Sequence, residues 1–399
     1  MNILLLGCAY SGLQVEEFQS KSKRGYQYAA QNFQEALFDG FLANNAHISV
    51  LSIPSLSTYP MGSRIFYVAD CPFTFKNEII GTSFGFINLP IINHYPKSRI
   101  HRQIDRWYYN SIGEKCIIVY AMLKEQMHYA IEAKKRHPDI KLCLIIPDLP
   151  MYMNCNRYYK MLGMQKRSIK TTNELISGFD CFTALAEPMI DYLGIGNKPY
   201  TVVEGIYSEE GDTIEQIVKF SNKTIMYAGG IVSRYGVFDL IEAFHRIKDP
   251  DIRLLLCGPC PEMDKLNKYL IQDNRISYKG LLPTDQVRLL QKQVSLLVNP
   301  RHSTEEFTKY SFPSKTIEYM ASGTPVLMSP LPSMPDEYKE YLYLFDDESI
   351  DGMKTKLEAT LNIEPEILKE KGKSASEYIL KNKNSKVQVS KIIELLKNV

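Results

Sequence analysis

One local pattern occurs twice in this chain: a short apolar strand, a turn of small residues, then an amphipathic helix. It opens at residues 2–7, where Ile3-Leu4-Leu5-Leu6 reads as a buried strand, Ser11-Gly12 as the turn, and Ala29, Ala30, Phe33, Ala36 and Leu37 as one helical face. It returns at residues 224–228, followed by Gly229-Gly230 and a helix carrying Val237, Leu240, Ile241 and Phe244 on one side. A strand fed through such a turn into a helix is the opening of a Rossmann-like sheet, and 399 residues give room for two. The predicted fold class is α/β, with two Rossmann-like domains facing across a cleft. The boundaries read as 1–205 for the first domain, 206–222 for a polar, acidic hinge, 223–384 for the second domain and 385–399 for a terminal helix.

Between the two openings the order is regular except over 60–113, where aromatics and prolines are frequent. There Arg64 to Val68 is a candidate strand and 96–110 a basic helix. Residues 115–120, 122–137 and 141–146 then form strand, helix and strand, a unit that requires a right-handed crossover. The last of these strands ends in Pro147-Asp148-Leu149-Pro150. Ligands of open α/β sheets sit beyond the carboxyl ends of strands, which makes Asp148 an acceptor-side candidate. A turn- or helix-capping aspartate is the equal alternative. Ser11 and Gly12 are the other acceptor-side candidates, because small residues let a ligand approach the backbone. The first loop holds no Gly-x-Gly-x-x-Gly, so no dinucleotide cofactor is expected.

Hydrophobic content of 45% and charge of 23% exclude a disordered chain. The net charge of +2 is uneven: residues 1–205 carry 21 Lys/Arg against 17 Asp/Glu, and the rest 26 against 28. Much of the excess lies in Lys97, Arg99, His101, Arg102 and Arg106 beside Trp107-Tyr108-Tyr109, and in Lys134-Lys135-Arg136-His137. Basic residues beside aromatics suit an anionic membrane surface, and suit a solvated helix face almost as well. No nucleic-acid module accompanies them. No signal peptide or bilayer-spanning run is evident, and eight scattered cysteines read as reduced thiols. The expected location is cytoplasmic, with a peripheral membrane contact possible at the inner face of the cell membrane.

Residues 311–325, Ser-Phe-Pro-Ser-Lys-Thr-Ile-Glu-Tyr-Met-Ala-Ser-Gly-Thr-Pro, read as a helix with an open start. Ser311 or Phe312 is placed to cap it, Pro313 suits the first turn, and Gly323 ends it as a left-handed residue. Free N–H groups and the positive helix end favour an anion there, with Lys315 adding a full charge. Ser314 and Glu318 share a face, one turn apart, where a carboxylate can accept hydrogen bonds from a ribose hydroxyl pair. An ordinary charged surface helix fits the spacing equally well.

This run resembles the donor-site helix of family 4 of the retaining GT-B glycosyltransferases, which includes many bacterial polysaccharide-assembly enzymes of the capsule and O-antigen type. The resemblance covers roughly 222–330 well and the first half only in coarse pattern. It implies a transferase moving a hexose or N-acetylhexosamine from a nucleoside-diphosphate sugar, a UDP-sugar by preference, to a glycan or lipid-linked glycan. It places Gly229 and Gly230 on the diphosphate, Arg234 and Lys315 as its cations, and Ser314 and Glu318 on the nucleotide. Catalysis would need no metal and no cofactor, and no Asp-x-Asp of the kind the metal-dependent class uses stands in a plausible loop. The glutamate that family 4 carries near the donor sugar is Tyr310 here, with Glu305 or Glu306 as substitutes; Glu306, Tyr310 and Asp148 are the catalytic candidates. The arginine that family 4 carries after the first glycine is Gly230, and the lysine before the helix is Tyr235, which leaves Arg234 as the replacement cation.

Two rival classes stand beside this reading, a noncatalytic nucleotide-sugar-binding partner and a UDP-sugar epimerase of GT-B-like fold. A redox role for Cys257-Gly258-Pro259-Cys260 is a weaker alternative, since Pro261 follows at once and the surrounding pattern is not that of a small thioredoxin-like unit.

Overall fold

The computed structural model describes residues 1–23, 28–89, 97–153, 164–208 and 217–399. They divide into two compact units, Met1–Ser208 with Ser385–Val399, and Glu209–Asn384. Of the expected hinge, residues 209–216 lie outside the described residues, as does most of the aromatic run after Asp148.

The first unit contains β1 (Asn2–Gly7), α1 (Val15–Lys21), α2 (Tyr28–Ala43), β2 (His47–Ser52), β3 (Tyr67–Val68), β4 (Cys71–Phe75), β5 (Glu78–Ser83), β6 (Phe86–Ile87), α3 (Lys97–Asn110) and β7 (Lys115–Tyr120). It continues with α4 (Lys124–Arg136), β8 (Lys141–Ile146), α5 (Pro150–Met153), α6 (Met164–Ile176), β9 (Cys181–Ala184), α7 (Glu187–Leu193) and β10 (Tyr200–Val202). Its sheet runs β10-β9-β8-β7-β1-β2-β5-β4, parallel throughout except for β4. The central strands are buried on both faces, so they read as near-continuous apolar runs.

The expected strand at Arg64 to Val68 shrinks to Tyr67–Val68, which pairs over two residues with β6. The sequence reading also leaves the β4–β5 hairpin unplaced. Lys76 and Asn77 turn it with φ of +50° and +65°, and Gly81 lets β2 approach, since a Cβ there would lie 1.8 Å from Val50 O.

The second unit holds β11 (Thr224–Ala228), α8 (Val237–His245), β12 (Arg253–Cys257), α9 (Met263–Gln272), β13 (Ile276–Tyr278), α10 (Thr284–Gln293), β14 (Leu296–Asn299), α11 (Ser314–Ala321), β15 (Val326–Met328), β16 (Tyr343–Leu344), α12 (Ile350–Leu361) and α13 (Pro365–Asn382). Its sheet is wholly parallel in the order β13-β12-β11-β14-β15-β16. Ile225, Leu254, Leu256, Leu296 and Val298 pack with Leu240, Ile241 and Phe244 of α8 in its core.

The last helix, α14 (Ser385–Lys397), belongs to the first unit. Its Val389, Ile392 and Leu396 join the core around α2, and Gly40 makes room for it, because a Cβ there would meet Val389 Cγ2 at 2.3 Å. Asn44 Nδ2 donates to Lys386 O and Lys141 Nζ to Leu396 O, each at 2.8 Å.

Candidate functional site

In the second sheet the strand order reverses between β11 and β14, which pair directly with Met226 opposite Leu297. The crevice beyond the carboxyl ends at such a reversal is where open α/β sheets hold ligands. Gly229 leaves β11 with φ of +156° and Gly258 leaves β12 with φ of +123°. A Cβ on Gly229 would lie 1.6 Å from Lys315 Nζ, and one on Gly258 2.2 Å from Gly229 O. These two glycines let both turns and the lysine converge. Gly230 is different: the nearest atom to a Cβ there is Tyr235 Cε2 at 3.6 Å, so packing does not require a glycine.

Helix α11 presents the lysine. Its inner face is Thr316, Ile317, Tyr319 and Met320, all buried, while Ser314 and Glu318 are exposed on the outer face. Two contacts fix it to the sheet. Asn299 Nδ2 donates to Thr316 Oγ1 at 3.2 Å. The Tyr319 hydroxyl accepts from the Ala228 N–H at 2.7 Å and donates to the Ala228 carbonyl at 3.0 Å.

The helix start departs from the sequence expectation. Neither Ser311 nor Phe312 caps it: Pro313, with ψ of 116°, is itself the cap residue, and no side chain caps the turn. Phe312 is buried, its ring 4.9 Å from that of Tyr338, and a residue before proline disfavours the helical region. The first N–H groups of a helix have no partner within it, so this uncapped start offers donors and a positive dipole end to an anion. Gly323 ends the helix with φ of +76°, as expected.

Lys315 Nζ stands 3.4 Å from Tyr227 Oη and 4.7 Å from that ring. Burial first, then the charge of Arg301, brings its ammonium down to about 8. The folded value lies below the unfolded one, so this group adds stability as pH rises from about 8 towards 10.5. Anion binding runs the other way, since only the protonated lysine attracts phosphate. Affinity for a nucleoside diphosphate is expected to fall between about pH 7 and about pH 9.5, and calorimetry at both would show it. Equal affinity would remove Lys315 from the phosphate site.

Glu318 lies one turn further on. Crowding by protein raises its carboxyl, against the pull of Lys315 and Arg288. Arg288, on α10, was not singled out in the sequence.

Arg234 sits on a 3₁₀ turn, Ser233–Tyr235. Its guanidinium is 4.3 Å from the Phe307 ring and its Nε 3.7 Å from Glu305 Oε2, with the side chain 53% exposed. Glu306 is exposed at the head of a second 3₁₀ turn, Glu306–Lys309, which Tyr310 closes. The structure therefore joins Gly229, Lys315, Ser314 and Glu318 through one helix and one turn, and groups Arg234 with Glu305 and Phe307. Arg301 is a further cation that sequence reading missed. Its one signal is position, directly behind the strand-closing Asn299-Pro300.

In the first unit, Ser11 needs correction as an acceptor-facing group. It is fully buried, and its hydroxyl donates to Pro72 O at 2.8 Å and accepts from the Thr74 N–H at 3.0 Å. It fastens the loop after β1 to the hairpin. Gly12 is exposed beside it, its N–H donating to Thr74 O at 2.9 Å. Asp148 is exposed beyond β8 and feels the buried Tyr120, whose phenol burial and this carboxylate push up.

The basic, aromatic stretch is largely tied up within the unit. Arg99 pairs with Asp70 and Lys134 with Asp180; His101 lies 3.0 Å from Glu132, and Arg136 and His137 lie 3.0 and 2.9 Å from Asp105. Tyr108 stacks on His137 at 3.8 Å and donates to Asp139 at 2.7 Å. Lys97, Arg102, Arg106, Tyr109 and Lys135 are exposed, as are Arg99 and Arg136 with their acidic partners. Among the described residues no helix is long and apolar enough to cross a membrane. Burial pushes the Cys257 thiol up to about 11 and raises Cys260 as well, the opposite of an activated thiolate.

Two α/β units, each on a parallel sheet, with an uncapped helix start at the strand-order reversal of the second, define a GT-B glycosyltransferase fold. Solved structures match it over the full chain. These include sucrose-phosphate synthase from Thermosynechococcus elongatus, 13% identical with a TM-score of 0.63, covering 100% of this chain and 98% of that one. The Anabaena protein HepE in complex with UDP is 12% identical with a TM-score of 0.65, covering 100% of both chains. The lipopolysaccharide outer core galactosyltransferase WaaB is 14% identical with a TM-score of 0.62, covering 100% of this chain and 99% of that one. No curated protein sequence matches significantly. Residues 212–381 match the family described as Glycosyl transferases group 1, and this chain carries a domain of that family.

Proposed function

We propose that the protein is a retaining glycosyltransferase that moves a hexose or N-acetylhexosamine from a nucleoside-diphosphate sugar, UDP-linked by preference, to a glycan or lipid-linked glycan in polysaccharide assembly. The observation that carries this is the uncapped start of α11 with Lys315 Nζ held against Gly229, a cation and free N–H groups at one turn. Two of the similar structures, the UDP complex of HepE and the galactosyltransferase WaaB, favour the UDP and polysaccharide choices. The anomeric C–O bond breaks and its electron pair stays on the phosphate oxygen. The acceptor hydroxyl bonds to the anomeric carbon and its proton passes to the departing diphosphate. The protein's share is to stabilise the charge that grows there, and its own cations do this without a metal. Gly229, Gly230 and Lys315 meet the diphosphate, Ser314 and Glu318 the ribose, Glu306 and Tyr310 the donor sugar, and Asp148 with Gly12 the acceptor.

Calorimetric titration with UDP, GDP, dTDP and NAD, followed by a transfer assay with and without EDTA, tests the reading. Selective binding of one nucleoside diphosphate and EDTA-resistant transfer are expected; no diphosphate binding would refute it. Glu318→Ala is expected to weaken that binding by about 1.5–3 kcal/mol, the loss of charged hydrogen bonds to a ribose. Unchanged affinity in a folded variant would sink the ribose role.

We further propose a peripheral contact with anionic membrane through α3, where Arg102, Arg106 and Tyr109 fall on one exposed stripe at spacings of four and three. Trp107, the only tryptophan, reports from the same helix. Vesicles containing anionic lipid are expected to sediment the protein and shift Trp107 emission, an effect reversed by salt. Neutral vesicles acting equally would retire the contact.

A further inference from the structure

A departing diphosphate carries more charge than one lysine offsets, and the family position for a second cation is Gly230 here. Arg234 is the neighbour that sequence suggests. Its geometry suits that role poorly, because the side chain is half-exposed and stands 3.7 Å from the Glu305 carboxylate.

Arg301 is placed differently. It follows Asn299-Pro300 at the carboxyl end of β14, on one side of the strand-order reversal, with Gly229 at the end of β11 on the other. The loop that carries it is pressed against the start of α8, the helix that follows the glycine turn, for a Cβ on Gly236 would lie 2.0 Å from Pro300 O. Its guanidinium is held over two rings, 4.9 Å from that of Tyr235 and 5.1 Å from that of Phe307. Those rings are 6.2 Å apart, and Phe307 is buried. A planar cation on an aromatic seat loses little freedom on binding and can present two N–H groups to phosphate oxygens. Its field reaches the inner site: after burial, Arg301 is the next cause that lowers the Lys315 ammonium, and it opposes the rise that burial gives the Tyr227 phenol.

We propose that Arg301, not Arg234, supplies the second cation for the donor diphosphate, steadied by Tyr235 and Phe307. The proposal rests on the nucleotide-sugar reading above. It also gives a use to the aromatic Tyr235 and Phe307: they position the arginine without touching the nucleotide. Arg234 then serves the loop, bridging Phe307 and Glu305 from outside.

The test is calorimetric titration of UDP and uridine into the wild type, Arg301→Gln, Arg301→Lys, Phe307→Leu and Arg234→Gln. UDP affinity is expected to fall about ten- to a hundredfold in Arg301→Gln and less in Arg301→Lys and Phe307→Leu, with uridine within about twofold. Arg234→Gln is expected to lose about threefold or less. The pH at which UDP binding declines should also move upward in Arg301→Gln, because Lys315 is released from a neighbouring positive charge. Equal losses in Arg234→Gln and Arg301→Gln, or unchanged UDP affinity in Arg301→Gln, would overturn the assignment and leave the donor reading intact. Should Arg301→Gln fail to fold, Arg301→Lys and Phe307→Leu decide, and wild-type affinity for UDP in both would overturn it. A wild type that binds no nucleoside diphosphate would overturn the donor reading, and the role of Arg301 with it.

Discussion

Replacing Lys315 by alanine is expected to weaken nucleoside diphosphate binding about ten- to a hundredfold while changing nucleoside binding less than about twofold. The reason is geometric. The ammonium lies against the backbone of Gly229 at the start of α11, 3.4 Å from Tyr227 Oη, and Glu318, the ribose candidate, is nearly one helical turn further on. Removing the charge therefore affects phosphate and spares the nucleoside. The folded protein has no stake in keeping this lysine charged, because burial and Arg301 both disfavour the ammonium. Thermal stability of Lys315→Ala is accordingly expected to stay near that of the wild type. Calorimetry with UDP and uridine in parallel reads the first effect, and a thermal melt reads the second. Equal losses for UDP and uridine would count against a phosphate role.

Gly229→Ala should be damaging in both respects. At φ of +156° the backbone is one that side-chain-bearing residues rarely adopt, a strain of about 1–3 kcal/mol. The new methyl would also lie 1.6 Å from Lys315 Nζ and 3.1 Å from Tyr227 Oη, so the lysine must leave its place. Diphosphate affinity is expected to fall about tenfold or more together with stability. Gly230→Ala is the internal comparison. Space is open at that Cβ, and its stability cost is expected to stay within about 0.5 kcal/mol. Denaturant unfolding of the two variants separates them. Equal destabilisation would mean that the glycine pair serves only as a turn.

The contrast within this pair shows how far the sequence could be read. Two successive glycines look alike in a string of letters, yet only the first is needed by the packing. The same holds for the cations. Arg234 stands near the glycine turn in sequence and proves to be half-exposed beside Glu305, whereas Arg301, about 70 residues on, shares the inner field with Lys315. Ser11 reads as a small residue in a ligand loop, but its hydroxyl is engaged by β4, a strand in a stretch that showed no clear pattern. The basic charge of α3 reads as an outward face, yet Arg99 pairs with Asp70 and His101 with Glu132 inside the unit.

What the amino-acid sequence determined by itself is much of the strand and helix order outside residues 60–113, the two glycine-turn openings, and the candidate donor helix with its lysine, outer-face carboxylate and terminal glycine. These follow from periodicity and backbone freedom, which act over one or two turns of chain. Only the tertiary structure decided which cations meet, which glycine is obligatory, and which polar groups are engaged internally. A parallel sheet brings the carboxyl ends of strands far apart in sequence to one edge. Charge and packing at that edge depend on distance through space, which the spacing of residues along the chain does not record.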